Sequence, residues 1–465
     1  MRLLNVSPRA ASLLALVATS LFGSPVASPP DDAEVLRSIY GAALPSRSAF
    51  ENLSELLTKF PGRLTGSKNL EGAVLWAEAA LQRAGADRTE LQPVMVPHWV
   101  RGAPESVRLV NPDGLAGDAL AAAALGGSVR TSAGGLTAPV VELSSLADLR
   151  ETDVKGKIVF FNRAMNPAYV SAGGAYGEAG DGRNRGANEA SKWGAAGVLT
   201  RSLTHALDDV PHTGNTGYAA GVPRIPAAAL STMAADKLSA LLKAGPGLQV
   251  TMTINSQWFP DAPSHNVIGE IRGSEFPEKV ILVGGHLDSW DIGPGAHDNG
   301  TGVVQSIEVL RILKAIGYQP RHTIRTVLFT SEENSGNGGR EYARVVGEKK
   351  ELHVLSIESD GGGFQPTGFN FGNPARDAHT KAARWLELFA PYGIRNFIAG
   401  QGGADVSHLL KTLDYSVAGL SSESQRYFDY HHTTKDTIDN VNPRELALGA
   451  AALASLVYLV DQHGL

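Results

Sequence analysis

Val280-Ile281-Leu282-Val283 is a run of four large aliphatic residues with no polar break, and Gly284-Gly285 carries it directly into His286. A strand apolar on both faces belongs inside a sheet that is covered on both sides. Thr326-Val327-Leu328-Phe329 repeats the pattern and leads to Glu332-Glu333, and Val354-Leu355-Ser356-Ile357 leads to Asp360. Asn266 to Ile271 reads as a further strand, and Val303 to Leu313 as a helix with Val303, Val304, Ile307 and Leu310 inward. This strand–helix alternation from residue 265 onward predicts an α/β fold, with a mostly parallel central sheet flanked by helices. Open α/β sheets gather ligands at the carboxyl ends of their strands. A single polar residue at such an end is ordinarily structural, but three ends delivering His286, Glu332-Glu333 and Asp360 to one edge point to a site.

Upstream, residues 31–92 read as helical. Phe50, Leu53, Leu56, Leu57 and Phe60 keep helical spacing up to Pro61-Gly62, and Leu70, Val74, Ala77 and Leu81 make a second stripe before Gly85. Residues 100–258 differ in texture, being rich in Ala, Gly and Val. Lys157 to Phe161 and Gly197 to Leu199 read there as strands, and Ala187 to Ala195 as a short helix. His98, His205 and His212 lie in or near this part without metal spacing and read as surface or loop residues.

The formal charge of −6 and the lack of a long basic run exclude nucleic acid as a natural partner. The chain contains no cysteine, so no disulfide or thiolate ligand is available to it, and a lipoprotein-type signal, which needs a Cys at its cleavage site, is not expected. Residues 1–28 read as a signal peptide. Arg2 and Arg9 precede the mostly apolar stretch Ala10 to Phe22, and the small residues Ser24, Ala27 and Ser28 follow. The apolar stretch is too short to span a bilayer, although an uncleaved anchor is the alternative. No other membrane-spanning segment is expected, and the expected location is secreted or periplasmic.

Metal-ligand residue types recur as His286, Asp298, Glu333, Asp360 and His432, with Glu332 beside the third. Imidazole and carboxylate both suit zinc. A two-zinc hydrolytic site needs one bridging carboxylate and one off-metal carboxylate to move protons. Asp298, in Gly295-Ala296-His297-Asp298-Asn299-Gly300, precedes the 303–313 helix, where a helix cap is the ordinary alternative. His297 is left out because adjacent residues rarely face one metal. Asp288 is placed to accept the second N–H of His286, or else is a turn residue. Glu332-Glu333 are consecutive and diverge, so one can bind metal while the other holds water, the alternative being a solvated loop. His431-His432 can supply one ligand, and Asp436 is a candidate partner behind it. His322, His353, His379, His408 and His463 lack such context and read as structural.

In order, Gly284-Gly285-His286-Leu287-Asp288, His297-Asp298-Asn299-Gly300, Ser331-Glu332-Glu333, Glu358-Ser359-Asp360-Gly361 and His432-Thr433-Thr434-Lys435-Asp436-Thr437 resemble the co-catalytic di-zinc exopeptidases of the bacterial aminopeptidase and glutamate carboxypeptidase type. Pro61-Gly62-Arg63-Leu64-Thr65-Gly66-Ser67, Val96-Pro97-His98-Trp99 and the doubled histidine resemble one subgroup of that family, and the resemblance spans roughly residues 35–460. It implies one zinc on His286, Asp360 and bridging Asp298, and a second on Glu333, His432 and the same Asp298. It implies Glu332 as general base and a cis peptide after Asp298. Many members carry a Tyr just before the last ligand, where it steadies the oxyanion. This chain departs from that with His431, which is read as joining zinc in that role, and Tyr430 one position earlier is read as a substrate contact. Asp405 and Ser407 lie where the family builds part of its substrate pocket, a plain turn being the alternative. The middle region, 100–258, resembles an inserted β-rich protease-associated domain through Lys155 to Val159, Gly194 to Val198 and Ile225-Pro226, dividing the catalytic domain into 31–99 and 259–465. The implied activity is hydrolysis of dipeptides or short peptides, with aminopeptidase action on longer peptides or a glutaminyl-cyclase-like transferase as alternatives, and the implied assembly is a homodimer.

Overall fold

The apolar stripes of the N-terminal part form the helices Asp32–Ala43, Ser48–Lys59 and Lys68–Arg83. Ser67 caps the third, its hydroxyl accepting from the Leu70 N–H, and Gly85 beyond its end takes the left-handed conformation. The computed structural model describes residues 31–465 apart from positions 246, 374, 375 and 414, so the expected signal peptide lies outside the described residues. The helical reading of 31–92 fails at its end, where Arg88–Val100 is a strand. Its alternating burial, Val94 and Val96 inward, is the period-two pattern of a strand with one covered face.

Two eight-stranded sheets organise the chain. The first runs in the order Arg88–Val100, Gln257–Ile271, His322–Phe329, Phe276–His286, Leu352–Glu358, Val417–Ser422, Pro366–Gly372 and Asn396–Ala399. It is mixed rather than mostly parallel. The four strands from His322–Phe329 to Val417–Ser422 are parallel, while antiparallel pairs stand on both sides of them. Phe276–His286 lies at the centre of the parallel block, with His286 opposite Phe329 and Gly284 opposite Glu358. The loops bearing Glu332-Glu333 and Asp360 therefore leave the sheet on either side of His286, at the same edge.

Helices Thr301–Ala315 and Pro443–His463 cover one face and pack on each other and on Asp32–Ala43. Pro443–His463 is long and apolar enough to cross a membrane, contrary to the expectation of no further such segment. Every residue from Leu446 to Asp461 except Leu448 is buried in the protein, so its apolar character is spent on the core.

The second sheet arises between Val100 and Gln257, which face each other in register at the end of the antiparallel ribbon 88–100/257–271. Its order is Ala116–Leu120, Ser106–Val110, Gln249–Thr253, Leu136–Leu143, Ile158–Phe161, Gly197–Arg201, Ala227–Leu230 and Ala122–Ala124. Helices Ala172–Ala179, Asp181–Lys192 and Thr232–Ala244 accompany it, so this part is α/β as well as strand-rich. Two apolar clusters are its own, one built on Phe160, Leu199 and Val250 and another on Val159, Phe161 and Val198, while a third joins Ala172, Ala175 and Leu203 to Phe364, Tyr427 and Phe428.

Candidate metal centre

His286 ends its strand almost fully buried, and its Nδ1 lies 3.1 Å from the Asp288 carbonyl. With Nδ1–H donated there, Nε2 is left as the lone pair, the arrangement that orients a histidine ligand. The expectation for Asp288 changes accordingly. Its carbonyl holds the ring, its Oδ1 stands 3.6 Å from Nδ1, and its carboxylate accepts the backbone N–H groups of Glu332 (3.1 Å) and Glu333 (3.2 Å). One residue thus sets both the first histidine and the loop carrying the two glutamates.

Asp298 precedes helix Thr301–Ala315 in a distorted turn, and its peptide bond to Asn299 is cis. Its two oxygens point to two groups of residues. Oδ1 is 3.2 Å from His286 Nε2, which is itself 3.3 Å from Asp360 Oδ1. Oδ2 is 3.1 Å from His432 Nε2, which is 3.1 Å from Glu333 Oε2. The Asp436 carboxylate accepts the N–H groups of His297 (2.6 Å) and Asp298 (3.1 Å), so it positions the shared carboxylate rather than His432. Asn299 bonds to the Ser359 carbonyl at 2.8 Å, joining this turn to the Asp360 loop. The approach is so close that a Cβ on Gly302 would stand 2.0 Å from that carbonyl oxygen.

His432 adopts a left-handed backbone (φ 61°), unusual for a residue with a Cβ. Its Nδ1 lies 3.2 Å from the carbonyl of Thr213, in the second sheet's region. His431 stacks on His432 with ring centroids 3.5 Å apart, and its Nε2 is 3.4 Å from Asp298 Oδ2. Only His432 reaches Glu333 as well.

These distances suit cations. Two donors about 2.0–2.2 Å from one tetrahedral zinc stand roughly 3.3–3.6 Å apart, close to the 3.1–3.3 Å separations within each group. Asp298 Oδ2, Glu333 Oε1 and Asp360 Oδ1 are buried and receive no hydrogen bond. The charge balance points the same way. Burial opposes charge on His286 and His432, but facing carboxylates, Asp360 for the first and Glu333 for the second, raise both imidazoles well above their ordinary range. Burial also opposes ionisation of Asp298, yet the two histidines facing it, His286 and then His432, hold it well below the carboxylate range. For Glu332 burial prevails and raises the carboxyl well above it.

Other expected residues lie elsewhere. Asp405 is buried with Oδ1 accepting the Gly339 N–H (3.1 Å) at the start of helix Asn337–Lys349, where a helix N-terminus favours a carboxylate. Ser407 donates to the Ala404 carbonyl at 2.7 Å. Ser407 is thus engaged with backbone, whereas only one oxygen of Asp405 is, its Oδ2 being buried without a hydrogen bond. Tyr430 stacks on His297 (5.6 Å) and Phe364 (6.3 Å). His205 is exposed and His98 half-buried, but His212 is buried beside the last ligands, and burial pushes its imidazole down to about 3. It is thus a loop residue, as one of the two readings had it, but not a surface one.

Several residues at the site carried no local signal. Tyr176, from helix Ala172–Ala179, sits edge-on to His431 at 5.1 Å. Arg183 stacks over Tyr176 and donates to its hydroxyl at 2.5 Å. Tyr427, buried on a one-turn helix, packs its ring 5.1 Å from His431. Arg63, in the motif that marks the subgroup, was legible only as a motif. Fully buried, it donates to the carbonyls of Leu287 (2.8 Å), Pro294 (2.7 Å) and Gly295 (3.0 Å), tying together the turns that bear His286 and Asp298. Burial pushes its guanidinium down to about 10.

Residues 266–457 match the model of peptidase family M28. The chain is 34% identical to human carboxypeptidase Q over 91% of its length and 86% of that protein. It is 35% identical to carboxypeptidase Q of Xenopus laevis, covering 92% of this chain and 89% of that one. Among solved structures, a peptidase M28 precursor from Shewanella amazonensis superposes with a TM-score of 0.87 at 34% identity, covering 92% and 96% of the two chains. The zinc aminopeptidase BSAP of Bacillus subtilis, at 20% identity, shares the fold with a TM-score of 0.64 over 88% and 94%.

Proposed function

The chain belongs to peptidase family M28 and is a metallopeptidase, and from that premise we propose that it is an exported di-zinc exopeptidase acting on dipeptides or short peptides with a free C-terminal carboxylate. One zinc would be held by His286, Asp360 and Asp298, the other by Glu333, His432 and the same Asp298. The pairing of distances around the two oxygens of Asp298 supports this division. Zinc, when bound, polarises the scissile carbonyl and acidifies water at the site. Glu332, whose backbone is fixed on Asp288, takes the proton of the attacking water and hands it to the leaving amine. His431 and Tyr427 stand beside the ligands as candidate contacts for the oxyanion. The second sheet is read as an inserted protease-associated domain over the site, residues 1–28 as the export signal, and the assembly as a homodimer.

The observation that carries the substrate class is Arg183. It is 8% exposed, and no carboxylate forms an ion pair with it among the described residues. Its guanidinium is held in place by Tyr176 and by Asn184 (3.2 Å), one aromatic ring away from His431. A buried guanidinium without a counter-ion is costly unless something supplies one. A substrate carboxylate does so with charge-assisted, planar hydrogen bonding. A free α-carboxylate next to the scissile bond describes a dipeptide or a C-terminal residue, rather than the N-terminus of a long chain.

The test is kcat/KM for a free dipeptide, its C-terminal amide and a longer peptide, with wild type and Arg183→Gln. Expected is a strong preference for the free carboxylate, largely lost in the variant. Equal cleavage of the amide, or stepwise N-terminal trimming of the long peptide, would make the protein a general aminopeptidase instead.

A further inference from the structure

Resting on the two-metal reading, we propose that the second sheet's region sets zinc affinity at the His432 half of the centre, with Thr213 as the positioning residue. His432 is the one ligand with a left-handed backbone. It is held there by a pair of hydrogen bonds to a single distant residue. The Thr213 N–H donates to the His432 carbonyl at 3.0 Å, and the Thr213 carbonyl stands 3.2 Å from His432 Nδ1. The first contact fixes the backbone and the second fixes the ring tautomer, leaving Nε2 facing Asp298 and Glu333.

Thr213 is itself anchored. Its buried hydroxyl donates to the Ala124 carbonyl at 2.8 Å and lies 3.4 Å from Arg101 Nη2. Arg101 donates to the same carbonyl (2.7 Å) and grips the Asp291 carboxylate at 2.6 and 2.9 Å, one residue beyond Trp290. Gly126 closes the arrangement. Its N–H donates to the Gly214 carbonyl, and its carbonyl accepts from Thr216. It packs closely against Trp290, so that a Cβ would fall 1.9 Å from a ring carbon. Trp290 in turn stands edge-on to His432 at 5.7 Å. Segments 124–128 and 212–216 thus form a wedge that touches His432 through hydrogen bonds on one side and through Trp290 on another. Groups that orient a metal-bound histidine typically change metal affinity by about 10–100-fold when lost.

The experiment is a chelator titration of the full-length zinc protein with metal counting, repeated after cobalt exchange so that each site reports through its own visible absorption. Wild type, Thr213→Val, Thr213→Ser and Gly126→Ala are compared. Thr213→Val should release one of two ions at about 10–100-fold weaker chelation while the other stays as in wild type. Serine, which keeps the hydroxyl anchor, should restore wild-type behaviour. Gly126→Ala attacks the wedge from its other side and should weaken the same ion, so a valine variant that fails to fold leaves the test standing. Two ions held by Thr213→Val and Gly126→Ala as tightly as by wild type overturn the proposal. So does parallel loss of both ions together with a lowered unfolding temperature, which would mark a purely structural role. A wild type holding fewer than two ions removes the two-metal reading itself.

Discussion

The two halves of the metal centre rest on different foundations. His286 ends a strand buried at the middle of a parallel block, and the carbonyl that orients it lies two residues away in its own loop. Asp360 leaves the neighbouring strand, and Gly302 presses against the carbonyl just before it. His432 lies on a loop, in a disfavoured backbone conformation, oriented by a residue more than two hundred positions away in a separate sheet. The first half comes with the folding of one sheet. The second takes Glu333 from that sheet too, but its histidine is seated only where the second sheet's region meets the first. Asp298 belongs to both, one oxygen to each.

Asp298→Ala should therefore have the largest effect, because it removes the group the halves share. Loss of both ions is expected, with turnover falling further than the ~10²–10⁴-fold that general acid–base help contributes. Metal counting checks it, and a variant retaining either ion at full affinity would show that the halves are independent. Glu332→Gln ranks next. It leaves both halves intact, so both ions should stay while kcat falls by about 10²–10⁴-fold. Near-normal turnover in that variant removes Glu332 from proton transfer.

The same contrast explains what could be read from the sequence. His286, Asp360 and, in the other half, Glu333 were legible because they follow apolar strands within a few residues, and parallel neighbours put those ends on one edge. The central α/β character was legible for the same reason. The mixed outer strands were not, since Arg88–Val100 alternates weakly and lies next to helical stripes. Helix Pro443–His463 is apolar nearly all round and lacks the one-sided stripe that marks a surface helix. At the His432 half, the ligand was recognisable from its motif but its support was not. Thr213, Tyr176, Arg183 and His212 sit in an Ala- and Gly-rich stretch whose contacts with the site are wholly long-range. Asp405 and Ser407 suited a pocket by position in the chain alone; the Gly339 N–H occupies one oxygen of Asp405 and the Ala404 carbonyl accepts from Ser407, contacts that no local pattern announces.

Gly302→Ala probes the half built by the sheet. The new methyl would meet the Ser359 carbonyl at 2.0 Å and Asn299 Oδ1 at 2.3 Å, both fixed by neighbouring hydrogen bonds. Overpacking of this kind costs about 1–3 kcal/mol. A lowered unfolding temperature in the metal-free protein and weaker zinc at the His286 side are expected, with the His432 side unaffected. Wild-type unfolding in this variant would mean that the sheet edge has more slack than its distances imply.

The smallest effect belongs to Lys435–Asp208, a second tie between the His432 loop and the second sheet's region, at 2.5 Å. Both side chains are partly exposed, 43% and 24%, so the pair contributes no more than about 1 kcal/mol. Burial works against charge on Asp208, but the hydrogen bonds from Lys435 and the Val210 N–H outweigh it and lower its carboxyl below the ordinary 3.8. Because the folded value lies below the unfolded one, the stabilisation is fully present above the ordinary carboxyl value and is lost as pH falls through the folded value. Asp208→Asn should therefore unfold slightly more easily than wild type at neutral pH, and the difference should vanish in strong acid and shrink in high salt. Denaturant curves at two pH values and two salt concentrations measure it. A loss at neutral pH well above about 1 kcal/mol would mean that this pair acts as a buried tie rather than as a surface contact.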